Sequence, residues 1–290
     1  VETVLKSAQQ TVIIGPDRPT VLIGERINPT GRKRLAETLR KGDLSVVRRE
    51  AMAQVQAGAD ILDINVGAEG VNEAELLPQA VRTALEAVEV PLAFDTSSVK
   101  ALSETLSLYR REVPDGVPLV NSVNGETARL AEVLPLVKEY DTAVIGLCMD
   151  DEGIPPSAER RFEIASKIVE EAERLGIPRA NVIIDCLAMA VAADEGAAHV
   201  TLETVRRVSE GLGVNITLGA SNTSFGLPDR RTIDQAFLVL AIQAGVNCPI
   251  VDAAKTRSAV VAADLLLGRD EFATRYIGAY RQRMRAEQGS

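Results

Sequence analysis

The 290-residue chain has no tryptophan, one histidine and three cysteines, and each scarcity removes a class of chemistry. With His199 alone, a His/Cys metal cluster is not expected, and no bound metal is assigned. His199 lies in the polar stretch Glu195-Gly-Ala-Ala-His-Val and reads as a solvated helix position, not a catalytic base. Cys148, Cys186 and Cys248 are odd in number and far apart, so they form no disulfide framework. Each sits in or beside an apolar run, where a small buried thiol is the expected state. Positive charge is also short: 32 Lys and Arg stand against 41 Asp and Glu. The formal charge of −9 argues against nucleic-acid binding, which needs a basic face. No apolar run approaches the roughly 20 residues of a membrane span, and no signal-peptide stretch opens the chain. A cytoplasmic protein without a membrane partner is expected.

What is present is a core and a rhythm. Hydrophobic residues at 46% against 25% charged are enough for a globular interior. After a helical or frayed lead-in over Val1–Gln10, Thr11–Ile14 reads as a strand, and Gly15-Pro-Asp-Arg-Pro as a turn. Eight strand-length apolar runs follow: Val21–Ile27, Ile61–Val66, Leu92–Asp95, Leu119–Val123, Ala143–Cys148, Val182–Leu187, Ile216–Ala220 and Pro249–Asp252. Amphipathic stretches of helical period separate them, such as Leu44–Ala57, Glu73–Val88, Ala158–Leu175, Leu202–Leu212 and Ser258–Leu267. Near-continuous apolar strands alternating with helices indicate parallel strands buried on both faces. Eight such units in about 250 residues match a single α/β domain, the (β/α)₈ TIM barrel. A doubly wound sheet would need a Gly-rich turn after the first strand, and Gly24-Glu-Arg-Ile-Asn-Pro-Thr-Gly31 is not one. No linker interrupts residues 1–290, so one domain is expected, with a hairpin over Thr11–Pro19 closing the bottom of the barrel.

In such a barrel the strand C-termini and the loops after them build the site. Here carboxylates and carboxamides end nearly every strand: Glu25 and Asn28, Asp63 and Asn65, Asp95, Asn121 and Asn124, Asp185, Ser221-Asn222, and Asp252. Some of these are helix caps, and Asp63 and Asn124 are expected to be largely structural. Carboxylates accept hydrogen bonds and amides do both, so the set suits a neutral heterocycle rich in N–H donors. A pterin presents an amino group beside a ring N–H that one carboxylate accepts in parallel. A carbohydrate would call for stacking aromatics, which are 3% of the chain, and a phosphorylated ligand for a Gly-rich loop.

Six segments carry a family resemblance. Gly24-Glu-Arg-Ile-Asn28, Gly58-Ala-Asp-Ile-Leu-Asp-Ile-Asn-Val-Gly67, Phe94-Asp-Thr-Ser97, Val120-Asn-Ser-Val-Asn124, Ile184-Asp185 and Gly219-Ala-Ser-Asn-Thr-Ser224 resemble the pterin-binding family. They are closest in character to methyltetrahydrofolate:corrinoid methyltransferases and the folate module of cobalamin-dependent methionine synthase. The resemblance implies that Asp95, Asn121 and Asp185 hydrogen-bond the pterin and that Asn222 reaches N5, where the methyl group sits. Glu25 and Asn28 would line the same mouth; Ser221 either positions Asn222 or stabilises its turn. The implied partners are a reduced folate, tetrahydrofolate or its methyl derivative, and a corrinoid (cobalamin) carried by a separate protein. Dimerisation is a family expectation.

Dihydropteroate synthases share the barrel and its acids, but neither Asn28-Pro-Thr-Gly-Arg-Lys nor Asp185-Cys-Leu-Ala-Met matches their loops. Methionine synthase would need zinc-bearing and corrinoid-carrying domains for which this chain has no room, so a free-standing methyltransferase is expected. A dihydropteroate synthase-like enzyme and a non-catalytic folate-binding subunit remain the alternatives. Arg230, Arg231, Lys255 and Arg257 follow strands seven and eight. They read as surface charge at helix starts, with a folate tail or an acidic partner as the functional alternative.

Overall fold

A computed structural model describes residues 1–288, with side chains described through residue 285. In chain order come β1 (Thr3–Lys6), β2 (Thr11–Ile14), β3 (Ile23–Ile27), α1 (Lys33–Arg40), α2 (Ser45–Ala57), β4 (Ile61–Ile64), α3 (Glu73–Leu85), β5 (Leu92–Asp95), α4 (Val99–Glu112) and β6 (Leu119–Asn124). Then follow α5 (Thr127–Glu139), β7 (Ala143–Leu147), α6 (Ala158–Arg174), β8 (Val182–Asp185), α7 (Ala197–Leu212), β9 (Asn215–Thr217), α8 (Arg230–Ala244), β10 (Ile250–Val251), α9 (Ala253–Leu266) and α10 (Thr274–Gln288).

Strands β3 to β10 pair in parallel in the order β10-β3-β4-β5-β6-β7-β8-β9. The ends of that order also meet, because the amide of Ile250 donates to Leu218 O at 3.0 Å and Gly219 bridges Ile250 in parallel. A nearly closed (β/α)₈ barrel results, as the eightfold alternation predicts. All four residues of β4 and of β8 are buried, which explains why each reads as an apolar run carrying a single acid, Asp63 and Asp185.

Side chains alternate across each strand and so build two cores. Ile23, Ile61, Ala93, Leu119, Ala143 and Ile183 point inward near the strand starts. They pack on Leu5, Val12 and Ile14 of the antiparallel β1–β2 hairpin, which therefore closes the N-terminal end of the barrel. The other strand face meets the helices, as where Phe94 of β5 packs edge-on against Tyr109 of α4 with ring centroids 5.4 Å apart. The Tyr109 hydroxyl donates to Lys6 O at 3.0 Å, fastening the hairpin to that helix.

Three local expectations change. Val1–Gln10 is not a helical or frayed lead-in: Thr3–Lys6 is itself a strand, paired from Thr3↔Ile14 to Lys6↔Thr11. The hairpin thus precedes Gly15 instead of running over Thr11–Pro19, because burying Leu5 in the barrel floor outweighs weak local propensity. Helices α7 and α9 begin five residues earlier than their periodicity suggests. Two helices were not anticipated, α1 and α10, both polar stretches ordered by tertiary contacts. Helix α10 is held by Asp264, a fully buried carboxylate that accepts from Thr20 N (2.9 Å), Thr20 Oγ1 (2.7 Å) and Arg275 Nη1 (2.8 Å). No helix among the described residues is long and apolar enough to cross a membrane.

Candidate functional site

Continuing inward along each strand, the apolar layer gives way to a polar one. Two residues beyond Ile23 stands Glu25, beyond Ile61 stands Asp63, beyond Ala93 stands Asp95, beyond Leu119 stands Asn121 and beyond Ile183 stands Asp185. The period of two places all five over the same barrel axis. Pairing irregularities between Gly24 and Ile27 in β3 and between Asn121 and Val123 in β6 fall at the Glu25 and Asn121 positions. Such interruptions of a ladder re-aim side chains.

Above this layer lies a cavity of about 570 Å³ at the C-terminal mouth. Glu25, Asn28, Asp95, Asn121, Ser221 and Asn222 all line it, six of the seven residues expected from sequence. Asp185 does not: it is 7% exposed, and its Oδ1 accepts from the Leu187 amide at 2.7 Å. Asp63 lines the cavity as well as serving a structural bond, since Asn121 Nδ2 donates to its Oδ1 at 3.0 Å. Asn65 Nδ2 donates to Asp95 Oδ2 at 2.8 Å, while Asn65 Oδ1 accepts from Gly67 N at 2.7 Å. Asn124 is structural as expected, accepting from Glu126 N at 3.0 Å.

Burial sets the protonation of this floor. Asp63 is raised well above the usual carboxylate range by burial, then by the neighbouring charge of Asp95. Asp95 is raised by burial, opposed by the Asn65 hydrogen bond. Glu25 is pushed up to about 7 by burial and then by Asp252, and Asp185 to about 7 by burial. Near neutral pH Glu25 is therefore close to its midpoint and can hold or release a proton.

The loop after β9 supplies the rim. Ser221 Oγ donates to Glu25 Oε2 at 3.4 Å, and Arg230 Nη2 holds Ser221 O at 2.7 Å while Nε donates to Ser224 Oγ at 2.9 Å. Asn222 ends a short 3₁₀ turn, Ala220–Asn222, exposed beside these anchored neighbours. Its carboxamide has no hydrogen-bond partner among the described residues. Across the mouth, Arg26 lies 3.7 Å from both Glu50 and Asp252, and Lys255 lies 3.1 Å from Asp252.

Behind the wall, Arg161 is 3% exposed and donates to Pro155 O, Cys186 O and Leu187 O, tying the loops after β7 and β8 together. The three cysteines are buried and unpaired, with Cys186 and Cys248 thiols raised by burial, and His199 is exposed on α7. None of these four residues lines the cavity.

Asp234 of α8 was not anticipated. It lines the cavity, and its Oδ1 is buried without a hydrogen-bond partner among the described residues. In sequence it looks like one polar position on a helix face, and only the packing of α8 against the mouth reveals it.

The chain is similar in sequence and in fold to known proteins. A family model described as "Pterin binding enzyme" matches residues 24–252, and the chain belongs to that family. It is 30% identical over 272 residues to the methylcorrinoid:tetrahydrofolate methyltransferase of Eubacterium limosum, covering 90% of this chain and 96% of that protein. It is also 29% identical over 266 residues to the methionine synthase of Mycobacterium leprae, covering 86% of this chain but only 21% of that enzyme. In fold it is similar to the dihydropteroate synthase of Xanthomonas albilineans, with a TM-score of 0.68 at 20% identity over 92% of this chain and 99% of that one. The Yersinia pestis dihydropteroate synthase gives a TM-score of 0.68 at 16% identity, again over 92% and 99%.

Proposed function

We propose that this chain moves a methyl group between N5 of tetrahydrofolate and the cobalt of a corrinoid carried by a separate protein, acting as one barrel domain. The observation that carries the reading is the free carboxamide of Asn222, poised on an anchored turn above a floor of carboxylates and amides. Near full-length similarity to a methylcorrinoid:tetrahydrofolate methyltransferase supports it.

In this reading Asp95 and Asn121 receive the pterin edge. Asp95 has one oxygen held by Asn65 and the other available to ring donors. Asn121 Nδ2 is held by Asp63, which leaves its carbonyl oxygen to accept. Asp185 shares their inward register but lies deeper, with Oδ1 held by the Leu187 amide and Oδ2 left to accept from the pterin. Glu25 and Asn28 complete the mouth.

The corrinoid, when present, supplies a cobalt centre that accepts or donates the methyl group. Toward cobalt, the N5–CH₃ bond breaks and its electron pair stays on nitrogen, which then takes up a proton. An amide hydrogen bond from Asn222 strengthens as that charge develops, so it favours the transition state over the ground state. Glu25, with a proton affinity near neutrality and bonded to Ser221 next to Asn222, is suited to hold the proton that N5 gains or loses. Ser221 thereby both stabilises the turn and couples Glu25 to it. A protein nucleophile has no place in this chemistry, and the buried thiols take no part in it.

A homodimer belongs to the same proposal. Leu266 (84% exposed) and Phe272 (88%) stand out at the end of α9 and in the turn before α10, where self-association would cover them. Light scattering of the purified chain decides this: a mass of one protomer removes the dimer.

Methyl transfer is tested by incubating methyl-labelled methyltetrahydrofolate, a reduced corrinoid and the protein. Label appearing on the corrinoid supports the reading. Condensation of p-aminobenzoate with a pterin pyrophosphate would instead assign a dihydropteroate synthase. Folate binding without turnover of either kind would leave a binding subunit.

A further inference from the structure

Beside the mouth runs a second depression of about 1010 Å³, between α2, α9 and α10. Five arginines line it, Arg231, Arg257, Arg281, Arg283 and Arg285, and not one Asp or Glu does. In a chain of net charge −9 that local balance is far from the average. Among the described residues, none of the five is in an ion pair, whereas Arg18, Arg48, Arg82, Arg160 and Arg179 all are. Clustered unpaired guanidinium groups repel one another and set up a positive potential that an anion relieves.

Two details give the groove a direction. Arg231 lines both this depression and the candidate folate cavity, so the two adjoin at the start of α8. Along α9 the groove runs from Ala253, next to the mouth, to Ala262. Those nine steps span roughly 13 Å of helix. Midway, Arg257 is half-buried across the end of α2. Its Nη1 donates to Gln282 Oε1 at 2.6 Å and approaches Ala57 O at 3.4 Å. Gly58 makes room for it: at φ 98° it has no side chain, and a Cβ there would lie 2.4 Å from the guanidinium. The charge is thus built into the wall, not left on a loose surface side chain.

We propose that this groove binds the γ-linked oligoglutamate tail of the folate, a polyanionic chain leaving the cavity past Arg231. The inference rests on the folate reading of the cavity. A folate whose pterin lies on Asp95 and Asn121 directs its aminobenzoyl-glutamate end toward the rim, and each further γ-linked residue adds one carboxylate. A groove of roughly 13 Å holds about two or three such residues, each somewhat longer than an α-linked residue at about 3.5 Å. Guanidinium forks pair with carboxylates in two-point contacts, which a flexible polyanion can meet in sequence.

The test compares methyltetrahydrofolate carrying one glutamate with the triglutamate form, by calorimetry on the intact protein. The expected result is at least about tenfold tighter binding of the triglutamate, an advantage that shrinks between about 0.01 M and about 1 M ionic strength as screening shortens. Arg281→Gln with Arg283→Gln alters two exposed helix positions outside the folate cavity, so the fold should survive. It should erase much of the triglutamate advantage and leave monoglutamate binding unchanged. Arg257→Gln, which keeps a donor at the buried position, provides a second reading. Equal affinity of both forms for the wild-type protein overturns this inference while leaving the folate reading intact. Failure of the monoglutamate to bind overturns both. Arginine variants that slow methyl exchange with the corrinoid protein but leave the two affinities equal would assign the groove to an acidic protein partner instead.

Discussion

Asn121 on β6 donates to Asp63 Oδ1 on β4 at 3.0 Å, spanning β5 inside the barrel. This bond fixes the Asn121 side chain and supplies a donor to a carboxyl group that burial has pushed strongly upward. Asn121→Ala should therefore do more than delete one ligand contact, because Asp63 loses its partner. Folate binding is expected to weaken by about tenfold for the lost contact, about 1.4 kcal/mol, while the stranded Asp63 carboxyl should cost about 1–3 kcal/mol of stability. Calorimetry with methyltetrahydrofolate checks it, and an unchanged affinity would remove Asn121 from the pterin site.

Glu25 makes stability depend on pH with a definite sign. Its folded value of about 7 lies above the ordinary 4.5, so between those limits the folded state binds more protons than the unfolded one. Its contribution is fully present below about 4.5 and is lost as pH rises toward 7. Glu25→Gln should flatten the stability profile over that window and raise stability above pH 7. Urea unfolding of both proteins across the range measures this, and parallel profiles would contradict the burial argument.

Asn222 is expected to act on rate more than on affinity. Asn222→Ala should slow methyl transfer by about 10²-fold, as removal of one donor to developing charge does elsewhere, with a much smaller change in folate affinity. Steady-state kinetics alongside equilibrium binding separates the two. A loss confined to affinity would make Asn222 a binding residue only.

The hairpin has a structural task. Leu5 is fully buried in the barrel floor, and Leu5→Ala should cost about 2–5 kcal/mol. Folate affinity at low temperature should hardly change, because the hairpin lies at the opposite end of the barrel. Thermal melts and binding on the same variant test both halves.

The barrel was legible because parallel strands buried on both faces leave short apolar runs, Ile61–Ile64 and Val182–Asp185 each with a single acid, and such runs recur eight times between longer helical stretches. The polar mouth was legible for the same reason, since strand-end acids and amides share one inward register. Less visible were features decided by distant packing. Nothing local marks Thr3–Lys6 as a strand until β2 and the barrel floor receive it. Asp185 ends its strand like the others, and nothing local shows that the Leu187 amide takes one of its oxygens. Asp234 is one polar residue on α8, and the arginine groove joins residues from α2, α8, α9 and α10 that have no common motif.

The most direct measurement is the visible spectrum of cob(I)alamin mixed with methyltetrahydrofolate and the protein under anaerobic conditions. Loss of the Co(I) band with growth of methylcobalamin, dependent on the protein and slowed in Asn222→Ala, is the predicted result. If a spectrum unchanged with cob(I)alamin also stays unchanged with reduced corrinoid proteins, while methyltetrahydrofolate still binds, methyl transfer to cobalt is contradicted.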